Sequence, residues 1–223
     1  MNSFKRFFPT PKFLMVPSFG LDISDESIKY IELIKEKDGI RVNRFGEKKI
    51  PPGIIKSGKI KDSRKMEELL TSLRKEEGLE SVRVSLPEEQ VYLFNLKLDK
   101  PGLENVIECI ELSLEENIPI PAQDAIFDYE LLKEDEQSLK LQVAAIPKNV
   151  IEDYLSIFKN SMTSAKSFEL EAQAIARAVI KKGDLGTYMI VDFGKKRTGI
   201  FIISGGVVIF TSTLDGGGAM ITG

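Results

Sequence analysis

Two carboxylates in this 223-residue chain stand in matching contexts. Asp22 closes an apolar run in FGLDISDESIKYIEL, and Asp192 closes another in YMIVDFGKKRTGIFII. A tight polar turn and a second apolar run follow each, which is the pattern of a β-hairpin. The two segments lie far apart and read as halves of a duplicated unit. Carboxylates at strand ends suit a magnesium ion, which takes oxygen ligands and keeps several waters. Backbone N–H groups of the adjoining turns suit phosphate oxygens. Two such turns facing each other would grip a polyphosphate, with its metal ion held by Asp22 and Asp192. Ser24 in the first turn and Lys29 on the strand after it belong to the same phosphate-facing set. In the second hairpin, Gly194 permits close backbone approach and Thr198 adds a hydroxyl. Gly216, Gly217 and Gly218 would open a helix, and helix N-termini attract anions. Asp is also common in ordinary turns. The pair of hairpins with the glycine triplet behind it therefore carries more weight than either alone.

The charges around these turns oppose one another. Lys195, Lys196 and Arg197 would draw in a polyphosphate. Asp25 and Glu26 would repel one unless a cation intervenes. Both sets also read as solvated turn residues. Glu169, Glu171 and Gln173 fall at the start of an Ala-rich helix. One of them, with Glu171 as the candidate, would orient a water for attack on a terminal phosphate. The plainer reading is that acids favour a helix N-terminus.

Several other chemistries are excluded. The chain has no histidine, which removes His-based triads and most zinc sites. Its net charge of -3 argues against a general nucleic-acid binder. Cys109 is the single cysteine, so no intramolecular disulfide forms and a reduced cytoplasm fits. It falls within an apolar helical stripe and reads as a packing residue. No apolar run is long enough to span a bilayer. The N-terminal MNSFKRFFPTPKFLMVP lacks a signal-peptide core and cleavage site. Pro9, Pro11 and Pro17 forbid a continuous helix there, and the segment reads as an extended arm packed on its own domain.

The elements that must position these residues follow from periodicity. Residues 13–50 read as three strands, with Asp38-Gly39 as a two-residue hairpin signal. A Pro/Gly loop, IPPGIIKSGKIKD, comes next. Asp62 or Ser63 caps a helix with Met66, Leu69, Leu70 and Leu73 on one face, and Gly78 stops it. Val82–Leu86 and Val91–Leu98 are strands. Leu103, Val106, Ile107, Ile110 and Leu114 form a helical stripe, ended by NIPIP. A strand pair, Ile126–Leu132 and Leu139–Ile146, precedes an amphipathic helix over Val150–Asn160. Ser164–Phe168 is a strand, and Glu169–Lys181 is a helix ended by Gly183. Three strands close the reading: Thr187–Val191, Gly199–Ile203 and Val207–Thr213. The class is mixed α/β, with antiparallel hairpins leading into helices.

In order and spacing these segments resemble the PilM family, actin-like proteins of type IV pilus assembly related to the cell-division protein FtsA. The likeness runs through both Asp hairpins, the IPPGIIKSGKIKD loop, VRVSLPEEQVYLFNLKL, EENIPIP with FDYELL, LQVAAIPKNVIEDY, FELEAQAIARAV and the glycine turn. It implies an actin-like (ribonuclease H-like) α/β fold. It divides the chain into 1–99, the N-terminal part of a first subdomain, and 100–162, an inserted subdomain. Residues 163–184 return to the first and carry the connecting helix, and 185–223 begin a second lobe. Family chains continue past the glycine turn, so this chain is expected to hold a first lobe and only the opening of the second. The resemblance implies ATP with magnesium between the lobes. It also implies an adaptor or scaffold in the cytoplasm, at the inner face of the membrane through its partners. Those are the N-terminal cytoplasmic tail of a PilN-like inner-membrane protein, other pilus-machine proteins, and copies of itself. Two alternatives belong to other classes: an actin-like ATPase, and an FtsA-like division filament. One departure touches the phosphate grip. The family places Gly after Asp-Ile, and here Ser24 and then Asp25 follow.

Overall fold

The computed structural model describes residues 18–36, 39–100 and 105–222. The first sheet is built around a hairpin of hairpins: β1 (Phe19–Ile23), β2 (Ser27–Glu36) and β3 (Gly39–Lys49). Alternation dictates their faces. Phe19, Leu21 and Ile23 of β1 and Ile28 and Tyr30 of β2 point into the core. After β3 comes a miniature hairpin, β4 (Ile55–Lys56) and β5 (Lys59–Ile60), where the sequence suggested only a loop. Helix α1 (Ser63–Glu77) starts at Asp62, whose carboxylate accepts from the Lys65 amide at 3.1 Å. It stops at Gly78, in the left-handed region at φ 73°. Both caps are those expected from the residue types. Its stripe of Met66, Leu70 and Leu73 is buried.

Strand β6 (Ser81–Leu86) pairs in parallel with β1. A single 3-10 turn, Glu88–Gln90, leads to β7 (Tyr92–Asp99). Then come α2 (Val106–Asn117), β8 (Ala125–Glu134), β9 (Ser138–Pro147) and α3 (Lys148–Asn160). Strand β10 (Ser164–Leu170) pairs in parallel with β6, which completes a five-stranded sheet in the order β10-β6-β1-β2-β3. Helices α1 and α3 cover one face, with Tyr154, Ile157 and Phe158 of α3 fully enclosed. On the other face, at the β2–β3 end, Ile31 sits opposite Phe45 and Leu33 opposite Val42, all of them exposed.

Strands β7, β9 and β8 form a second sheet in that order. Leu141, Val143 and Ala145 of β9 pack there against Ile110 and Leu114 of α2. A third sheet holds β11 (Thr187–Phe193), β12 (Arg197–Ser204) and β13 (Val207–Asp215). Helix α4 (Glu171–Val179) packs on it through Ala172 and Ala176 against Phe201, Ile203 and Val208. Five residues, Gly218–Thr222, form α5.

Several strands run one or two residues beyond the sequence reading, and two differences bear on α4. Glu169 belongs to β10, opposite Ser85 of β6, rather than to the helix. Helix α4 ends at Val179, before Gly183, because Ile180 already has extended backbone at ψ 130°. The N-terminal arm, Asp38 of the predicted hairpin turn and Leu103 lie outside the described residues.

Candidate functional site

The parallel β1–β6 ladder carries Asp22 to the end of the first sheet, opposite Lys29 on β2 and Ser85 on β6. The Lys29 ammonium lies 4.0 Å from its carboxylate. Asp192 reaches the corresponding point of the third sheet, opposite Gly199. Asp22 feels the charge of Asp192. Burial raises the Asp22 carboxyl above its ordinary value, Lys29 draws it down, and the charge on Asp192 raises it again. Glu171, the first residue of α4, feels the same group. Burial pushes it up to about 8, helped by the charges of Asp22, Asp192, Glu88 and Glu89. The charge of Asp192 thus acts on both of the other carboxylates named from the sequence, Asp22 and Glu171. Among the described residues, no group of three or more His, Cys, Asp or Glu side chains is set as a ready-made metal cage. A magnesium ion here would have to draw its remaining ligands from water and phosphate.

Glu88 was missed by sequence reasoning. It is 7% exposed and follows β6 in the 3-10 turn. One carboxylate oxygen accepts from the Ala172 amide at 2.8 Å, which satisfies an orphan donor of the α4 N-terminus. The other oxygen is buried and meets no hydrogen-bond geometry among the described residues, with the Thr211 hydroxyl the polar group nearest in effect. Burial raises this carboxyl, against the pull of the Ala172 amide and of Thr211 on β13. No local signal marks Glu88, because its burial depends on a helix that arrives 84 residues later.

The two hairpin turns do face each other, and their charges meet. Glu26 takes the Lys195 ammonium at 2.7 Å and pairs with Lys196 as well. These bonds hold its carboxyl at about 2. Arg197 pairs with Glu89, lies 3.5 Å from Asp25 and donates to the Ser57 hydroxyl at 3.0 Å. The turn charges expected to be solvated are therefore bound across the gap. Asp25 also accepts from the amides of Ser57 and Gly58, at 2.9 and 3.0 Å. Those two residues form the tight turn between β4 and β5. The Ser-Gly pair between two short apolar-basic runs was a usable turn signal. Gln90 and Tyr154 fasten the same turn by donating to the carbonyls of Ser57 and Gly58.

The donors proposed for phosphate are largely engaged inside the chain. The Ser24 hydroxyl accepts from the Ser27 amide at 3.2 Å and the Glu26 amide at 3.4 Å. Gly216 and Gly218 donate to the carbonyls of Lys196 and Gly194, each at 3.0 Å. Ala219 donates to the Lys195 carbonyl. Thr198 gives its hydroxyl proton to the Gly216 carbonyl at 2.7 Å. The glycine turn is thus seated directly on the second hairpin. A Cβ on Gly217 would stand 2.3 Å from the Gly194 carbonyl oxygen, so only glycine fits that contact.

A groove of about 360 Å³ opens between the first and second sheets. Ile126, Ala144 and Ile146 line one wall, and Leu86, Phe168 and Leu170 the other. The alternation that sends Val143 and Ala145 into the α2 core sends Gln142 and Ala144 into the groove. Gln142 is 3% exposed, and among the described residues its amide nitrogen has no hydrogen-bond partner. Asp128, Glu130 and Glu169 give the lining its charge. Strand β8, which lines it with five consecutive residues, is an edge strand.

Comparison with known proteins accords with this architecture. The chain superposes on a PilM–PilN type IV pilus biogenesis complex with TM-score 0.79 and 18% identity, over 93% of this chain and 64% of that one. It therefore spans less than two thirds of that relative's length. The cytoplasmic domain of EpsL, an inner-membrane component of the type II secretion system of Vibrio cholerae, gives TM-score 0.61 and 11% identity, over 90% of this chain and 71% of that one. A Bacteroides thetaiotaomicron protein with an actin-like ATPase fold gives 0.51 and 13%, over 92% and 72%. At these identities the likenesses establish the fold, which is actin-like. A family model described as type IV pilus assembly protein PilM matches residues 20–223, and the chain belongs to that family.

Proposed function

We propose that this chain is an adaptor at the cytoplasmic face of the inner membrane. Its groove between the first and second sheets receives the N-terminal tail of a PilN-like membrane protein. The observation that carries the reading is the groove itself: apolar walls, an edge strand with unpaired backbone groups, and a buried amide with no partner. An extended peptide would add to β8 by strand pairing and place alternate side chains in the apolar pocket. Its carbonyls would offer an acceptor to Gln142. The acidic lining suits a tail from the cytoplasmic side of a membrane span, where Lys and Arg are in excess. Among the described residues no helix is long and apolar enough to cross a membrane, so attachment through a partner fits. The reading divides the chain as the sequence suggested, at 99/100, 162/163 and 184/185, with the groove where the inserted part meets the first. The test is titration of a peptide copying such a tail, followed by anisotropy. Binding that falls at least tenfold in Ala144→Arg, where a long cation blocks the floor, supports it. Absence of binding to the folded wild-type chain refutes it.

A second reading, ATP with magnesium between the hairpins, is favoured by the convergence of Asp22, Asp192 and Glu171. The two aspartates fit a magnesium ion that keeps several waters. Bound there, the nucleotide would supply the polyphosphate ligands that the ion otherwise lacks. Glu171, held protonated at neutral pH by burial and the acids around it, would have a proton to offer toward that space. Calorimetric titration with Mg-ATP tests it: heat lost in Asp192→Ala supports the site, and no heat from the wild type removes it.

A further inference from the structure

The contact between the two turns is too specific to be a by-product of packing. We propose that Asp25 and Glu26 form a built-in anion that occupies the cationic turn of the second hairpin. A polyphosphate then reaches Lys195 and Lys196 only by displacing Glu26, and Arg197 only by competing with Asp25 and Glu89. The inference rests on the nucleotide reading above and adds a restraint to it.

Three observations support it. Glu26, on the first turn, takes both lysines of the second turn with a single carboxylate. Asp25 sits in a concavity of successive amides, those of Ser57 and Gly58, with the Arg197 guanidinium 3.5 Å away. Both residues of that turn have left-handed backbone, φ 51° and 71°, and adjacent amides in a tight turn form an anion-binding nest. The anion in the nest is the chain's own carboxylate. Finally, Ser24 keeps the amides of Glu26 and Ser27 for itself, so the first turn offers its acids to the gap rather than its donors. A phosphate chain presents more charge than one carboxylate and can compete for the same cations. Neutralising the internal anion should unmask them.

The test uses the whole 223-residue chain and sodium tripolyphosphate as the probe, titrated by calorimetry. The informative variant is Glu26→Gln, because among the described residues the Glu26 side chain bonds to the two lysines and not to the Ser57-Gly58 turn. Asp25→Asn is the second variant, and Glu136→Gln, in the β8–β9 turn, controls for a general change of charge. Glu26→Gln is expected to bind tripolyphosphate about fivefold more tightly, the range that a partly exposed ion pair supports. Wild-type affinity in Glu26→Gln, or an equal gain in Glu136→Gln, overturns the competition while leaving the nucleotide reading in place. No binding by any of the proteins removes the nucleotide reading at these turns and the competition with it.

Discussion

Replacing Glu171 by Gln should make the protein more stable in mild alkali while leaving it unchanged in acid. Glu171 sits at the head of α4, where burial raises its carboxyl and the charges of Asp22, Asp192, Glu88 and Glu89 add to the effect. Its carboxyl is raised from 4.5 to about 8. The folded protein therefore holds a proton that the unfolded chain releases. A carboxyl raised in this way contributes stability below pH 4.5, and that contribution is lost progressively as pH rises toward about 8. At about 1.36 kcal/mol per unit, the shift sets a ceiling near 5 kcal/mol. The site is partly open to water, and screening brings the expected loss to about 2 kcal/mol. Gln keeps the shape and the neutral form, so the variant escapes that loss. Urea unfolding of both proteins at pH 4.5, 6, 7.5 and 9, without divalent cations, measures the difference. Coincident stabilities at pH 4.5 and a gap of about 2 kcal/mol in favour of Gln at pH 9 are expected. Parallel curves, or a gap in favour of the wild type, would refute the idea that the carboxylates share one field.

Tyr154→Phe removes the hydroxyl that donates to the Gly58 carbonyl at 3.1 Å inside the core. Urea unfolding should register a loss of about 1–1.5 kcal/mol, and an unchanged midpoint would mean that the β4–β5 turn does not depend on α3. Glu32 is 6% exposed and accepts from Arg44 at 2.8 Å and Asn43 at 2.6 Å. Arg44, and then Asn43, holds its carboxyl below the ordinary 4.5, so its contribution is present above that pH and disappears as pH falls further. Glu32→Gln should cost about 2 kcal/mol at pH 7, with the gap closing below pH 4.5; a gap independent of pH would contradict the charge assignment. Gly217→Ala puts a methyl against the Gly194 carbonyl and should unseat α5. Hydrogen exchange would then show faster exchange at Gly218 and Ala219 only, and unaltered protection there would mean that the seat yields without strain.

Periodicity and caps made most of the architecture legible. Asp62 and Gly78 mark the two ends of α1 because capping is local chemistry. The alternation in FGLDI places three apolar residues inward because a strand has period two. Glu169 was misassigned to the following helix, since Phe-Glu-Leu-Glu-Ala-Gln suits either period and only the pairing with β6 decides. The candidate site was read from the sequence as two aspartates at strand ends, and in the structure the charge of Asp192 acts on the Asp22 carboxyl. What sequence could not supply was the bonding of the turn charges. Nothing local tells Glu26 that Lys195 will stand beside it from 169 residues away. Glu88 and the bonding of the Ser57-Gly58 turn to Asp25 were hidden for the same reason, because they depend on partners from other elements.

The placement of β10 beside β6 has a consequence for how the chain assembles. These neighbours are parallel, Ser81 facing Ser164, yet the chain between them makes an excursion through a whole further sheet. Closing so long a loop directly costs entropy before any contact rewards it. The excursion shortens itself, because the β7–β9 ladder sets Tyr92 against Ala145 soon after β6 ends. Once that ladder exists, only the end of β9, helix α3 and a short turn separate the two strands that must meet. By contact order, the local β1–β2–β3 meander and the excursion are expected to form early, and the β6–β10 pairing after the excursion closes. The inserted sheet is therefore also a folding device, a clip that delivers β10 and α4, and with α4 the carboxylate of Glu171, to the first sheet.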